Sequence, residues 1–190
     1  PLGTTEIQDQ VLREVLQPMV DAMARLGSPF QGVLYAGLML MDGTPYVLEF
    51  NARMGDPETQ VVLPLLKNDF VDVLEAVIEH RLDQLPVEWH SDATVCVVMA
   101  SGGYPGTYQQ GIPLSGLPTA TTLSDSSVVF HAGTVQRGQE IVTAGGRGLG
   151  VLGRGRTLLE AQGEAYRVVK TISFEGCHFR TDIARRALKT

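Results

Sequence analysis

Glu49-Phe50-Asn51-Ala52-Arg53-Met54-Gly55-Asp56-Pro57-Glu58 is the stretch on which the reading of this 190-residue chain turns. Val47 and Leu48 lead into it as strand-forming residues, and along a strand side chains alternate between faces. Leu48 and Phe50 therefore share one face, while Glu49 and Asn51 stand side by side on the other. A carboxylate and an amide oxygen so placed form a hard oxygen site of the kind Mg²⁺ takes, with phosphate oxygens and water completing the octahedron. The same spacing describes the solvated polar face of an edge strand and, because E-x-N is a short pattern, favours that reading by itself. The neighbours shift the balance towards a ligand site. Arg53 is a permanent cation suited to carboxylate or phosphate, or a plain partner for Asp56 or Glu58. Gly55 permits a tight turn. Asp56-Pro57 reads as the cap and first residue of a helix whose free N–H groups would face back towards the metal site.

Upstream, 32–41 is an apolar run that reads as a strand covered on both faces. Asp42-Gly43-Thr44-Pro45 is turn chemistry, so 33–50 is expected to be a hairpin. Before it, Thr5 and Gln8 have capping-box spacing ahead of an amphipathic helix that kinks near Pro18 and ends at Gly27. Downstream, a helix is expected from Asp69, with Phe70, Val73, Leu74, Val77 and Ile78 on one face. Leu85-Pro86 reads as a boundary. Beyond it come short β-rich runs (93–100, 128–130, 140–143 and 149–152) separated by glycine-rich turns. Thr157 and Glu160 then cap a helix reaching about Thr171, and a short helix is expected from Asp182. The chain reads as α+β in two parts, 1–85 and 86–190.

Composition excludes several classes. Hydrophobic residues make up 44% and charged residues 19%, which is neither a disordered segment nor a coiled coil. No apolar run has the length of a membrane helix, and no signal peptide is visible. Cys96 and Cys177 form no C-x-x-C pair, so a reducing cytoplasm is the expected setting. The net charge of −6 disfavours nucleic acid. Its distribution is uneven: 16 acidic and 5 basic side chains fall in 1–136, against 5 acidic and 10 basic in 137–190. That split describes either two solvated faces or a basic segment that meets an anionic ligand. His131 reads as a hydrogen-bonded core or strand residue, and Cys177-His178 as an ordinary buried thiol rather than a nucleophile pair, because adjacent residues rarely face each other.

The run 32–40, followed by Glu49-Phe50-Asn51-Ala52-Arg53-Met54-Gly55-Asp56-Pro57-Glu58-Thr59-Gln60, resembles the glycinamide ribonucleotide synthetase (phosphoribosylamine–glycine ligase) family of ATP-grasp enzymes in purine biosynthesis. The R-x-G-D-P-E-x-Q string is specific, whereas E-x-N is shared across ATP-grasp enzymes. Ala100-Ser101-Gly102-Gly103-Tyr104-Pro105, Val129-Phe130-His131-Ala132-Gly133-Thr134 and Val142-Thr143-Ala144-Gly145-Gly146-Arg147 resemble further strings of the same family, in the same order. The resemblance implies the C-terminal half of an ATP-grasp domain, an antiparallel sheet with helices, over 1–85, followed by a small β-rich substrate domain over 86–190. It implies an ATP-dependent ligation of glycine to 5-phosphoribosylamine through glycyl phosphate, giving glycinamide ribonucleotide, ADP and phosphate. Glu49 and Asn51 would hold Mg²⁺ or Mn²⁺ against ATP, and Arg53 would stabilise the transferred phosphoryl group. Gly55 and Asp56 would shape the substrate pocket, with Asp56 also a catalytic residue near the amine. Gly102, Gly103 and Tyr104, with some of the glycine-flanked arginines Arg147, Arg154 and Arg156, read as the surface that faces the ribose phosphate.

The chain departs from the family at its start. Its first 31 residues are a helix and its turn, with Arg13 and Arg25 the only basic side chains and no glycine-rich lid. The expectation is therefore the back half of the enzyme, inactive alone and needing the N-terminal half as partner. Another ATP-grasp carboxylate–amine ligase, or a non-catalytic half that only associates with a partner chain, are the alternatives.

Overall fold

The computed structural model describes residues 3–119 and 124–188 and opens with helix α1 (Thr5–Val11). Its cap is Thr4 rather than the expected Thr5, the Thr4 hydroxyl accepting from Ile7 N at 3.4 Å. Pro18 has no N–H, and its ring would press on the carbonyl four residues back, so a regular α-helix cannot run through it. The chain answers with a π-helical turn over Leu12–Leu16, in which Gln17 N bonds back to Leu12 O. Helix α2 (Gln17–Arg25) then restarts with Pro18 in its first turn. The expected kink is thus a change of winding. The stop is at Gly27 (φ 77°), where Ser28 N reaches Met23 O at 3.0 Å.

Strands β1 (Tyr35–Met41) and β2 (Thr44–Asn51) form the expected antiparallel hairpin. Asp42 (φ 50°) and Gly43 (φ 79°) make its two-residue turn. The register slips between Gly37 and Leu38: Gly37 faces Glu49 but Leu38 faces Val47, leaving Leu48 as the bulged residue. The bulge lies before Glu49, so alternation is intact from Glu49 to Asn51. The expectation that 32–41 is covered on both faces is not met within this unit. Met39, Met41, Tyr46 and Leu48 are exposed, Leu48 at 64%. A two-stranded ribbon has too little area to bury both of its faces.

A second expectation fails just downstream. Asp56–Pro57 is a cis peptide inside a turn, and helix α3 (Thr59–Val62) starts later and lasts one turn. Pro64, which cannot donate to a helical ladder, follows in the 3₁₀ turn Leu63–Leu65. No array of helix N-terminal donors therefore opens at Asp56. Helix α4 (Phe70–Ile78) starts as expected, with the Asp69 carboxylate accepting from Val71 N at 2.8 Å. Its apolar face is uncovered at Ile78, 70% exposed.

Contacts divide the chain into two units: Pro1–Glu58 with Leu66–Trp89, and Thr59–Leu65 with His90–Thr190. In the second unit run β3 (Ala93–Ala100), β4 (Ser127–His131), β5 (Thr134–Arg137), β6 (Glu140–Thr143), β7 (Arg147–Gly155) and α5 (Leu158–Val169). β7 is the central strand of an antiparallel sheet ordered β3-β7-β4, and β5 and β6 form a separate hairpin. β7 runs beyond the expected 149–152, and β5 was not expected at all. The sheet packs on α5 through Val95, Val97, Met99, Leu149 and Val151 against Ala161, Ala165, Val168 and Val169. Thr157 caps α5 by accepting from Glu160 N at 3.2 Å, while the Glu160 carboxylate accepts from Arg156 N at 2.9 Å. The helix expected from Asp182 is a series of turns instead. Ala184 sits at φ 64°, a left-handed conformation that an α-helix does not accept.

Candidate active site

Two groups of the expected site residues are brought together, one in each unit. In the first, β2 carries Glu49 and Asn51 onto one face, and Asn51 Nδ2 donates to Glu49 Oε1 at 3.0 Å. Glu49 is exposed and Asn51 half-buried, so both can reach a ligand. The chain leaves β2 through Arg53, whose Nη1 donates to Met54 O at 3.1 Å. Gly55 is buried because the Glu58 side chain folds over it. A Cβ at Gly55 would stand 2.3 Å from Glu58 Oε2. Asp56 is exposed in the turn that follows.

Tyr35 completes this group and was not singled out from the sequence. It lies directly opposite Asn51 in the hairpin register. Burial first, and then the Glu58 carboxylate beside it, push its phenol above the ordinary value. Glu49 adds to the effect and Arg53 opposes it. Two carboxylates and one guanidinium thus act on the same phenol, which makes its neighbourhood net negative and suited to a cation. Among the described residues, no group of three or more His, Cys, Asp or Glu could hold a metal ion. A cation here would take one carboxylate and one amide from the protein, leaving room for ligand oxygens and water, as Mg²⁺ does.

In the second unit, the loop after β3 meets the turn before β7. Ser101 N donates to Gly146 O at 2.8 Å, and Ser101 Oγ to Gly145 O at 2.9 Å. The Tyr104 ring lies on Gly146, where a Cβ would meet its Cδ2 at 2.1 Å. Gly103 has φ +93° and abuts Thr107 O, so only glycine fits. Gly102, Gly103 and Tyr104 therefore stand next to half-buried Arg147, the first residue of β7. A cavity of about 140 Å³ adjoins them, lined by Ser101, Gly102, Gln109, Ile112, Thr143, Glu175 and Gly176. Arg154, grouped with Arg147 on sequence, belongs to the fold: it pairs with Asp92, Nε to Oδ2 at 2.6 Å. His131 bonds Thr134 through Nδ1 at 2.8 Å, as a strand residue would. Burial pushes the Cys177 thiol up, consistent with an ordinary thiol. No helix among the described residues is long and apolar enough to cross a membrane.

Residues 94–186 match the family model described as phosphoribosylglycinamide synthetase, C domain, and residues 1–59 match that of its ATP-grasp (A) domain. The chain belongs to the phosphoribosylglycinamide synthetase family. A phosphoribosylamine–glycine ligase of Synechocystis sp. is 47% identical over 190 residues, which is 99% of this chain and 45% of that protein. One of Vibrio cholerae is 44% identical over 189 residues, 99% of this chain and 44% of that protein. The solved phosphoribosylamine–glycine ligase of Thermotoga maritima superposes with a TM-score of 0.81 at 34% identity, over 96% of this chain and 44% of that one. The chain thus spans just under half the length of these relatives. The expected α+β architecture and the expected family both hold.

Proposed function

We propose that this chain supplies the cation site and the substrate wall of an ATP-dependent ligase joining glycine to 5-phosphoribosylamine. The observation that carries the reading is the pairing of Glu49 and Asn51 on one face of β2, their side chains 3.0 Å apart in a net-negative setting. Residues 1–85 act as the C-terminal part of the ATP-grasp domain and 86–190 as the substrate domain. The donor chemistry fits Mg²⁺ or Mn²⁺: one hard carboxylate oxygen, one amide oxygen, and open positions for phosphate. When bound, the cation neutralises charge on the phosphates of ATP. Arg53 stabilises the phosphoryl group as it leaves ATP for the glycine carboxylate. The amine of 5-phosphoribosylamine attacks the glycyl carbonyl, phosphate departs, and the amine loses its proton. Gly55 and Asp56 shape the pocket around these groups. Gly102, Gly103, Tyr104 and Arg147 receive the ribose phosphate, with Arg147 supplying the charge. The protein partner is the N-terminal half of such a ligase, the small-molecule partners are glycine, 5-phosphoribosylamine and ATP, and the setting is the cytoplasm.

The test is a chimera in which this chain replaces the aligned part of the Synechocystis relative. ADP release dependent on both glycine and 5-phosphoribosylamine is expected, and its loss in Glu49→Ala. The 190-residue chain by itself is expected to release none. Arg147→Glu is expected to raise KM for 5-phosphoribosylamine; an unchanged KM removes Arg147 from the phosphate site.

A further inference from the structure

We infer that Gly37, on β1, is a positioning residue for the Glu49 carboxylate. This rests on the reading of Glu49 and Asn51 as cation donors. A glycine inside a strand weakens it, so its presence there calls for a local reason. Gly37 lies outside the left-handed region that favours glycine, and the bulge beside it places its extra residue, Leu48, on the other strand. The side chain opposite supplies the reason. Gly37 pairs in register with Glu49, and a Cβ on Gly37 would stand 2.9 Å from Glu49 Cγ. It would also lie 3.7 Å from both Glu49 O and Glu49 Oε1.

Cγ is the first carbon beyond Cβ, close to the backbone rather than at the flexible end of the side chain. Retreat from an alanine methyl therefore comes from rotation about χ1, either off its staggered position at a cost in strain or into another well. That rotation carries the carboxylate away from Asn51, which now lies 3.0 Å from Oε1. The empty space over Gly37 is what allows the Glu49 stem to cross the neighbouring strand and keep its oxygens beside the amide. Gly37 touches no substrate; it acts through Glu49.

The experiment uses the 190-residue chain with Mn²⁺ alone, bound metal being read by electron paramagnetic resonance, alongside thermal melting. Four proteins are compared: wild type, Gly37→Ala, Glu49→Ala and the double variant. Gly37→Ala is expected to weaken Mn²⁺ binding about tenfold or more, the usual scale for losing a group that orients a metal ligand. Its melting point is expected to fall in the wild-type background and to rise in the Glu49→Ala background, where there is nothing to strike and alanine suits a strand better. That reversal of sign is a readout that a merely structural glycine would not give. Should Gly37→Ala fail to fold, folding of the double variant supports the same contact. Unchanged Mn²⁺ affinity in Gly37→Ala, or the same melting shift in both backgrounds, overturns the proposal. Glu49→Ala that binds Mn²⁺ like wild type, or a wild type that binds none at millimolar metal, overturns instead the cation reading beneath it.

Discussion

Tyr35 shows how a residue without a motif enters a site. Its phenol is held above the ordinary value by burial and by the Glu58 carboxylate, with Glu49 in the same sense and Arg53 against them. Glu58→Gln is therefore expected to bring the Tyr35 titration down, and Arg53→Gln to move it further up. Ultraviolet difference titration of the phenol reads both, and movement in the opposite sense would remove Tyr35 from this neighbourhood. The sign for stability follows. The folded phenol keeps its proton to higher pH than the unfolded one, so its contribution is present at neutral pH and is lost as pH rises through the folded value. Glu49, Asn51, Arg53, Gly55 and Asp56 were legible because they are contiguous and alternate along one strand and its exit. Tyr35 and Gly37 were not legible. They reach the group only through register, opposite Asn51 and Glu49, and the register depends on a bulge at Leu48 that no local pattern announces.

At the scale of elements, capping and alternation read well where one short-range interaction decides the outcome, as at Asp69 and Thr157. They fail where competition decides it. Pro18 forces a π-helical turn, Pro64 closes α3 early, and Ala184 turns the last segment away from a helix. Helix α5 carries two testable claims. β7 lies so close to it that a Cβ at Gly153 would stand 2.2 Å from Ala161 O and 2.3 Å from Ala165 N, both backbone atoms that cannot yield. Gly153→Ala is therefore expected to cost more than an ordinary cavity such as Leu149→Ala, which should cost about 3 kcal/mol at a fully buried site. Urea unfolding followed in parallel for the two variants checks the order. The second claim concerns acid. Arg167 grips Glu164 with two bonds of 2.8 Å and pulls its carboxyl down to about 2; burial opposes this, and Ser124 and Ser127 add to it. A lowered carboxyl stabilises the fold above its unfolded value near 4.5 and loses that contribution as pH falls towards about 2. Glu164→Gln should flatten the stability curve across that window, by on the order of 1 kcal/mol once solvent screening is allowed for. Melting points taken at pH steps through the window measure it.

At the scale of the whole molecule, the buried apolar side chains are unevenly shared. Among the described residues, Ala76 is the only hydrophobic residue of the first unit that is fully buried, while β3, β7 and α5 of the second unit supply most of the rest. Hydrophobic burial is the main favourable term in folding, so the first unit holds its hairpin with little of it. The side chains that would supply that burial are present but uncovered: Met39, Met41, Tyr46, Val47 and Leu48 on the hairpin, and Leu74 and Ile78 on α4. On the proposed function, these side chains are where the N-terminal half of the ligase would seat. Local stability follows contact density, so backbone amides of β1 and β2 are expected to exchange with solvent well before those of β3 and β7. Adding the N-terminal half of a relative should slow exchange in β1 and β2 and leave β3 and β7 unchanged. Leu48→Asp should abolish that protection without lowering the melting point of the second unit. Hydrogen exchange read by mass spectrometry separates the outcomes. Equal protection of both units in the chain alone would mean that the first unit closes by itself, and the proposed partner surface on the hairpin would then have no basis.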